Sequence, residues 1–130
     1  EAVFGMLAHD LYTHKWLVEQ VSHPAHKVNF DPSHHVLYGL EDMSWLIRQW
    51  GNRIAHVHIK DAVGVPALQK FVFPLLGEGQ VDWEGFFEGL EEIGYQEFES
   101  FRFYRQILKN DPEVAARILL EQLNILLDGE

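Results

Sequence analysis

The stretch that decides the fold is IAHVHIKD, residues 54–61, in which apolar and polar side chains alternate. Alternation with a period of two is typical of a β-strand whose two faces meet different surroundings. One face carries His56, His58 and Lys60, and the other carries Ala55, Val57 and Ile59. The apolar face suits packing against helices. In a parallel β/α protein, we expect the polar face to point inward near the C-terminal end of the strand, where active sites form.

Segments on either side of this strand continue an alternation of helices and strands. Helices are predicted to begin at caps Thr13, Asp42, Asp82 and Asp111 and to end near Val21, Gly51, Gly94 and Leu127. The predicted strands span residues 28–30, 54–59 and 98–104. This order is typical of parallel β/α units, so the predicted fold class is α/β. About three strands and four helices are too few for a closed barrel, which needs eight strands. The chain therefore forms either a small open sheet or part of a (β/α)₈ barrel.

Apolar spacing predicts the buried face of each helix. The expected core positions are Trp16, Leu17 and Val21 in the first helix, Met43, Leu46, Ile47 and Trp50 in the second, and Trp83, Phe86, Phe87 and Leu90 in the third. Residues 60–81 form a long predicted loop that contains the Gly77-Glu78-Gly79 turn. A loop of this length in a compact domain is usually functional.

Metal-compatible side chains stand at the ends of two neighbouring predicted strands. Asp31 is the last residue of the strand that begins at Val28, and His34 follows in the next turn. Together with His58, these residues offer carboxylate and imidazole ligands, which suit Mn²⁺, Co²⁺, Mg²⁺ or Zn²⁺. A structural interpretation stays open at this point. Asp31 could cap an Asp-Pro-Ser turn, and the His-x-His pair could be satisfied within the core.

Composition limits the classes of function. The 130 residues fit one domain, and 47% of them are hydrophobic. A formal net charge of −10 disfavours nucleic acid and anionic membranes as partners. No cysteine is present, which excludes disulfides and thiolate chemistry. Neither a transmembrane run nor a signal peptide is recognisable, so we expect a cytoplasmic location. The chain begins with Glu1, not Met, and we expect upstream sequence.

Four segments in order resemble the xylose-isomerase-like sugar phosphate isomerase/epimerase superfamily. They are residues 29–34 (NFDPSH), 54–61 (IAHVHIKD), 76–83 (LGEGQVDW) and 93–95 (IGY). The resemblance covers roughly residues 9–104. It implies a TIM barrel of which residues 1–130 supply the C-terminal part, with strands six to eight. The resemblance also implies a divalent-metal-dependent sugar isomerase or epimerase that works through an enediolate once the full barrel is present, with a role in carbohydrate metabolism.

The resemblance assigns site residues one by one. Asp31 and His58 match the metal ligands, and His34 matches a histidine that contacts substrate oxygens. Lys60 and Asp61 match the Lys-Asp pair that follows the metal histidine, with roles in binding substrate or orienting the ligands. His56, on the same strand face, is expected to contact substrate. His34 and Lys60 are the catalytic candidates within these segments.

Two departures from the family pattern concern its two glutamate ligands. The strand that should carry the first glutamate is expected to be absent from the chain. Arg102 stands where the second is expected, and Glu99 could replace it only if the strand register shifts. Arg102 is therefore a candidate for binding an anionic substrate group or the enediolate. The alternative for Arg102 is a salt bridge to nearby acids, or a mark of lost catalysis.

Three functions are consistent with these residues. The first is the isomerase or epimerase; the second is a non-catalytic sugar-binding relative; the third is a lyase or dehydratase on the same scaffold. A DNA-repair nuclease is disfavoured by the negative charge. A small-molecule sugar is the expected partner. A half barrel exposes sheet edges, so we also expect association with another copy or with a missing N-terminal half of the barrel.

Overall fold

The computed structural model describes residues 1–3, 5–40, 42–101 and 111–128. Its helices are α1 (Leu11–Gln20), α2 (Pro32–Val36), α3 (Met43–Trp50), α4 (Trp83–Glu92) and α5 (Pro112–Asp128). Its strands are β1 (Val28–Phe30), β2 (Ile54–Ile59), β3 (Val63–Val65), β4 (Lys70–Val72) and β5 (Phe98–Phe101). Short 3₁₀ turns span Gly51–Arg53 and Pro66–Leu68. The predicted end of the third strand at Tyr104 lies outside the described residues.

The main sheet has three parallel strands in the order β1-β2-β5. Val28 pairs with Ile54 and Phe30 with Val57, and the register shifts between Val28 and Asn29. Each parallel crossover contains a helix, α3 between β1 and β2 and α4 between β2 and β5. The α/β class and its parallel units are thereby confirmed.

Helices α3 and α4 cover the apolar face of this sheet. Met43, Leu46, Ile47 and Phe86 are fully buried, as are Val57 and Ile59 of β2. The predicted caps are correct: Asp42 Oδ1 accepts from the Trp45 amide at 2.8 Å, and Asp82 Oδ1 from the Gly85 amide at 3.0 Å. These caps satisfy amides that the first helical turn leaves without partners. The polar face of β2 is thus left for the site.

Helix α1 differs from its prediction at both its start and its buried face. It begins at Leu11, and Asp10 is the N-cap, because the Asp10 and Thr13 side chains satisfy each other's backbone amides in a capping box. Thr13 as the cap was therefore wrong. The buried residues are Leu11, His14 and Val18, whereas Trp16 is 58% exposed. His14 is buried because its ring packs 4.8 Å from the ring of Trp50.

The predicted long loop over residues 60–81 contains a small antiparallel hairpin. Strands β3 and β4 pair Val63 with Val72 and Val65 with Lys70. Gly64 has φ +124°, and a β-carbon there would collide with the opposing backbone of Lys70 and Phe71, so only glycine fits. Among the described residues, no helix combines the length and the apolarity needed to cross a bilayer.

Candidate metal centre

Asp31 ends β1 and caps the short helix α2 with one carboxylate oxygen. Its Oδ1 accepts from the Ser33 amide at 3.0 Å and from the Ser33 hydroxyl at 2.6 Å. The second oxygen, Oδ2, turns towards β2, where His58 Nδ1 lies at 3.1 Å and Lys60 Nζ at 2.7 Å. The prediction that Asp31 caps a turn is therefore correct for Oδ1, whereas Oδ2 faces the polar side chains of β2.

His58 joins this carboxylate to the neighbouring strand. His58 is 3% exposed, and its Nε2 lies 3.1 Å from Nδ2 of Asn29. Asn29 lies on the face of β1 that also carries Asp31. The Asn29 amide nitrogen can only donate, so Nε2 accepts and Nδ1 donates its proton to Asp31. The two strands thus place Asp31 and His58 in contact, as strand parity predicts.

Asn29 offers a test of whether this pair can hold a cation. Its Oδ1 is buried and has no hydrogen-bond partner, although buried polar atoms are rarely left without one. A half-turn of the amide would bring Oδ1 to His58 Nε2, where it would accept the Nε2 proton. The Nδ1 lone pair would then face Asp31, which is the state a metal-binding histidine requires. The chemistry of the donors therefore fits a divalent ion.

Lys60 and His34 close one side of the cluster. Lys60 Nζ lies 3.0 Å from His34 Nε2, and because an ammonium group only donates, Nε2 accepts. The Phe73 ring covers both residues: its centroid is 4.6 Å from Lys60 Nζ, and the ring meets His34 at 5.9 Å edge-on. Lys60 is only 2% exposed. A buried ammonium group of this kind requires the Asp31 charge beside it.

Glu1 also belongs to this cluster, although the sequence analysis did not name it as a candidate. Its Oε1 lies 3.4 Å from His34 Nε2 and 3.5 Å from His58 Nδ1. Glu1, Asp31 and His34 each offer a ligand atom within 4.8 Å of the other two. The signal that could have found Glu1 is spacing, since about the same length of chain separates it from Asp31 as separates Asp31 from His58 (27 residues). The expectation that the first family glutamate is absent therefore overlooked Glu1 as a candidate.

The charges of the cluster keep its carboxylates ionised. Burial disfavours the charged form of Asp31, but the hydrogen bond from His58 and the charge of Lys60 outweigh it and hold the pKa of Asp31 well below its ordinary value. Burial also opposes ionisation of Glu1, yet the interaction with His34 leaves the pKa of Glu1 below its ordinary value. Two ionised carboxylates beside two imidazoles form a donor set for a divalent cation.

The spacing of these donors also suits a small ion. Ligand atoms bound at about 2.1 Å lie about 3.0 to 3.4 Å apart when they are adjacent around the ion. The contacts between Glu1, Asp31 and His58 span 3.1 to 3.5 Å, and His34 Nε2 lies 3.7 Å from Asp31 Oδ2. Lys60, at 2.7 Å from Asp31 Oδ2, would have to withdraw from that oxygen, and His58 would have to carry its proton on Nε2.

Asp61 lies beside this cluster in sequence but serves a different part of the structure. Its carboxylate accepts hydrogen bonds from five donors among the described residues: the amides of Ala62, Gly77, Gly79 and Val81, and Nε1 of Trp83. Asp61 is 1% exposed. These bonds fix the 77–81 turn to the end of β2, so Asp61 positions a loop, and its direct contact with substrate stays a prediction.

The remaining predicted residues divide into two groups. His56 is half-buried, and its ring meets the His58 ring edge-on at 5.6 Å, so it lies next to the cluster. Arg102 lies outside the described residues. The structure therefore brings together Asp31, His34, His58 and Lys60, with His56 beside them and Glu1 added.

The sequence profile of a known family matches residues 5–124 and is described as xylose isomerase-like TIM barrel. The chain belongs to the xylose isomerase-like TIM barrel family. The resemblance of the four sequence segments to the xylose-isomerase-like superfamily is therefore confirmed. The family match starts after Glu1, so the case for Glu1 rests on its distances alone.

Solved structures with this fold include proteins of several activities. The IolI protein with a bound zinc atom is 17% identical with a TM-score of 0.75, covering 94% of this chain and 45% of that one. A probable 3-DHS dehydratase, AsbF from Bacillus anthracis, is 21% identical with a TM-score of 0.72 (94% and 46%). An L-ribulose 3-epimerase is 19% identical with a TM-score of 0.69 (95% and 43%).

These similarities show the fold. The chain spans less than half the length of each of these three proteins. A search among proteins of curated function finds no match.

Proposed function

We propose that the protein is a divalent-metal-dependent sugar or sugar phosphate isomerase or epimerase that works through an enediolate. The observation that carries the proposal is the convergence of Glu1, Asp31, His34 and His58 at the C-terminal ends of parallel strands, with Lys60 beside them. Active sites of barrel enzymes lie at this end of the strands. The zinc-bound IolI structure and the L-ribulose 3-epimerase support the same class of chemistry.

The chain's own residues can be given roles. Asp31, His58 and Glu1 would hold the ion; a divalent ion bound there would polarise the substrate carbonyl. Glu1 is the carboxylate proposed to accept a proton from the carbon next to that carbonyl. His34 is the proposed contact to a substrate hydroxyl, which would take the place of Lys60 at Nε2, and His56 is proposed to contact substrate beside it. Mn²⁺, Co²⁺, Mg²⁺ and Zn²⁺ all fit mixed oxygen and nitrogen ligands.

Lys60 is the proposed donor to a substrate oxygen. In the structure its ammonium group neutralises Asp31, the same carboxylate oxygen that would bind the ion. When a cation takes over that neutralisation, the ammonium group can turn to a nearby oxyanion that develops on the substrate. Arg102 is proposed for the anionic end of the substrate, or for the enediolate.

Metal binding is the first test. Titration of the complete protein with Mn²⁺ or Co²⁺ in a calorimeter should show one site per chain. The D31N and H58A substitutions should each weaken binding by at least about 100-fold, since each removes a direct ligand. H23A, at the opposite end of the strands, is the control and should bind as the parent does. Unchanged affinity in D31N and H58A would contradict the proposed centre.

Solvent exchange is the second test, and it separates the candidate reactions. With metal and a ketose such as D-fructose in D₂O, an enediolate mechanism incorporates deuterium at the carbon next to the carbonyl, which NMR detects. A lyase or dehydratase, the class that AsbF favours, would instead release water and give an unsaturated product. A non-catalytic relative would bind sugar without exchange, and R102E would then be expected to raise metal affinity. Absence of both exchange and elimination across a panel of sugars would rule out the two enzymatic candidates.

The setting of the reaction is also a proposal. We expect a cytoplasmic protein of carbohydrate metabolism whose partner is a small sugar-derived molecule, with neither nucleic acid nor membrane bound, in agreement with a net charge of −10. Residues 1–130 would act as the C-terminal part of one barrel domain.

A further inference from the structure

A second group of polar side chains lies at the opposite end of the parallel strands from the metal centre. Lys27 directly precedes β1 and Arg53 directly precedes β2, so both stand at the N-terminal ends of these strands. A cleft of about 250 Å³ between them is lined by Ser22, His23, Pro24, His26, Lys27 and Arg53. Its residues come from the loop after α1 and the turn after α3, and none of them belongs to the metal centre.

The cleft is basic in a strongly acidic chain. Four of its six lining residues are Lys, Arg or His and none is acidic, although the chain has 20 acidic against 10 Lys and Arg residues. Among the described residues, no carboxylate lies within 4.0 Å of the Lys27 or Arg53 charged groups, whereas Arg48 pairs with Glu92 at 2.7 Å. Arg53 also lines an adjoining cleft, which contains both Glu19 and Lys15. The positive charge is therefore available to a ligand.

Hydrogen bonds within the loop also orient its donors. Lys27 Nζ donates to the backbone oxygen of Asn52 at 3.2 Å, which ties the loop before β1 to the turn that carries Arg53. His23 Nδ1 accepts from the Ala25 amide at 3.1 Å, so a neutral His23 ring carries its proton on Nε2 as a donor. His26 Nδ1 donates to the Val21 oxygen at 3.2 Å. Two cations and a ring donor thus surround one cavity.

We propose that this cleft binds a phosphate group, as inorganic phosphate or as the phosphate of a small ester. Guanidinium and ammonium groups form strong, charge-assisted hydrogen bonds with phosphate oxygens. Arg53 can bind two oxygens of one phosphate group through two parallel hydrogen bonds. The cavity lies below the range of about 300 to 1,000 Å³ that drug-sized ligands fill, which favours a small anion. The site is independent of the proposed catalytic function, because it shares no residue with the metal centre.

The experiment is an NMR titration of the complete protein, labelled in its histidine rings, with inorganic phosphate at neutral pH. The His23 and His26 resonances should shift saturably. The R53Q and K27Q substitutions should each weaken binding about tenfold, because each removes one charge-assisted hydrogen-bonding group. R117Q, which removes an exposed arginine from α5, is the matched control and should bind as the parent does. Unchanged spectra of the backbone elsewhere would show that the variants fold.

Titrations with ribose 5-phosphate and with neutral ribose identify whether the ligand is free phosphate or a phosphate ester. Tighter binding of ribose 5-phosphate than of phosphate would support the site with an ester ligand, and equal binding would support it with the free ion. Three results would overturn the proposal: phosphate affinity in R53Q and K27Q equal to that of the parent protein, shifts confined to His34 and His58, or the same shifts with neutral ribose.

Discussion

At the scale of single residues, the pair formed by Lys60 and Asp31 dominates the candidate site. Both side chains are almost fully buried, and the distance from Nζ to Oδ2 is 2.7 Å. Removing one member of a buried pair leaves the other charge without compensation, which costs about 3 to 5 kcal/mol. The pair therefore links the stability of the protein to the charge that a bound cation would carry.

The K60M substitution should lower the free energy of unfolding by about 3 kcal/mol in the absence of metal, because Asp31 then stays buried without a cation. Excess Mn²⁺ should restore more of that loss in K60M than it adds to the parent protein. Urea unfolding followed by fluorescence measures both effects. K70M, at an exposed lysine of β4, is the control and should change stability by less than about 0.5 kcal/mol. If excess Mn²⁺ did not restore stability in K60M, the idea that Lys60 and a bound cation both neutralise Asp31 would be contradicted.

The sequence could predict those site residues that strand geometry fixes. Asp31 and His58 were found because alternation along a strand decides which face a side chain takes, and parallel strands end at the same edge. Glu1 was missed because no strand pattern precedes it from which a face could be assigned. The hydrogen bonds of Asp61 join residues up to 22 positions apart, and no local pattern reveals bonds of that range.

At the scale of elements, helices were predicted well where their apolar stripe is clear. Helices α3 and α4 have the predicted caps and mainly the predicted faces, because their buried residues recur at helical spacing. Helix α1 was assigned the wrong face, because its largest apolar residue, Trp16, is exposed, whereas His14 is buried against Trp50. Tertiary packing there overrides the preference expected from hydrophobicity.

The G89A substitution tests the close approach of α4 to α3. A β-carbon at Gly89 would lie 2.9 Å from Ser44 Cα and 3.1 Å from Ile47 Cβ, so the helices would have to separate. Helix propensity alone predicts a gain of about 1 kcal/mol. We expect instead a net loss of about 1 to 2 kcal/mol, because overpacking outweighs that gain. Thermal or urea unfolding decides the sign, and E88A on the exposed side of α4 is the control.

The Asp10 cap of α1 should give a pH-dependent contribution to stability. The backbone hydrogen bond from Thr13 is the main cause that lowers the pKa of Asp10 in the folded protein. The contribution is therefore present above the pKa of the unfolded state, near 3.8, and is lost as the pH falls through the lower folded value. D10A should cost about 1 kcal/mol at pH 7 and less at pH 3. Urea titrations at both pH values, with D128A as the control, would contradict this if the cost did not shrink.

At the scale of the whole molecule, the chain matches less than half of each of the three compared proteins. The described sheet ends in β1 and β5, and edge strands offer backbone groups to further strands. Several large apolar side chains of the N-terminal third, Met6, Leu7, Tyr12 and Trp16, are also exposed. We propose that these surfaces meet further barrel strands, supplied by another chain segment or by another copy of the chain.

The 130-residue chain produced alone should therefore associate. Light scattering after gel filtration is expected to give a mass that rises with concentration above the 15.1 kDa of one chain. If a separate polypeptide that supplies the remaining barrel strands is added, a defined complex should replace this self-association. A single species of 15.1 kDa at all concentrations would show that the exposed edges need no partner.

The five hydrogen bonds to Asp61 have a consequence for how this protein could vary. They join the two ends of the segment that contains β3 and β4, because Asp61 precedes β3 and accepts from the amides of Gly77 and Val81 after β4. The segment is therefore closed at its base. Insertions or deletions at the hairpin tip would leave this closed base in place, whereas changes near Phe73, which contacts Lys60 and His34, would reach the candidate metal centre. The tip is accordingly a natural place to graft a tag or a recognition peptide.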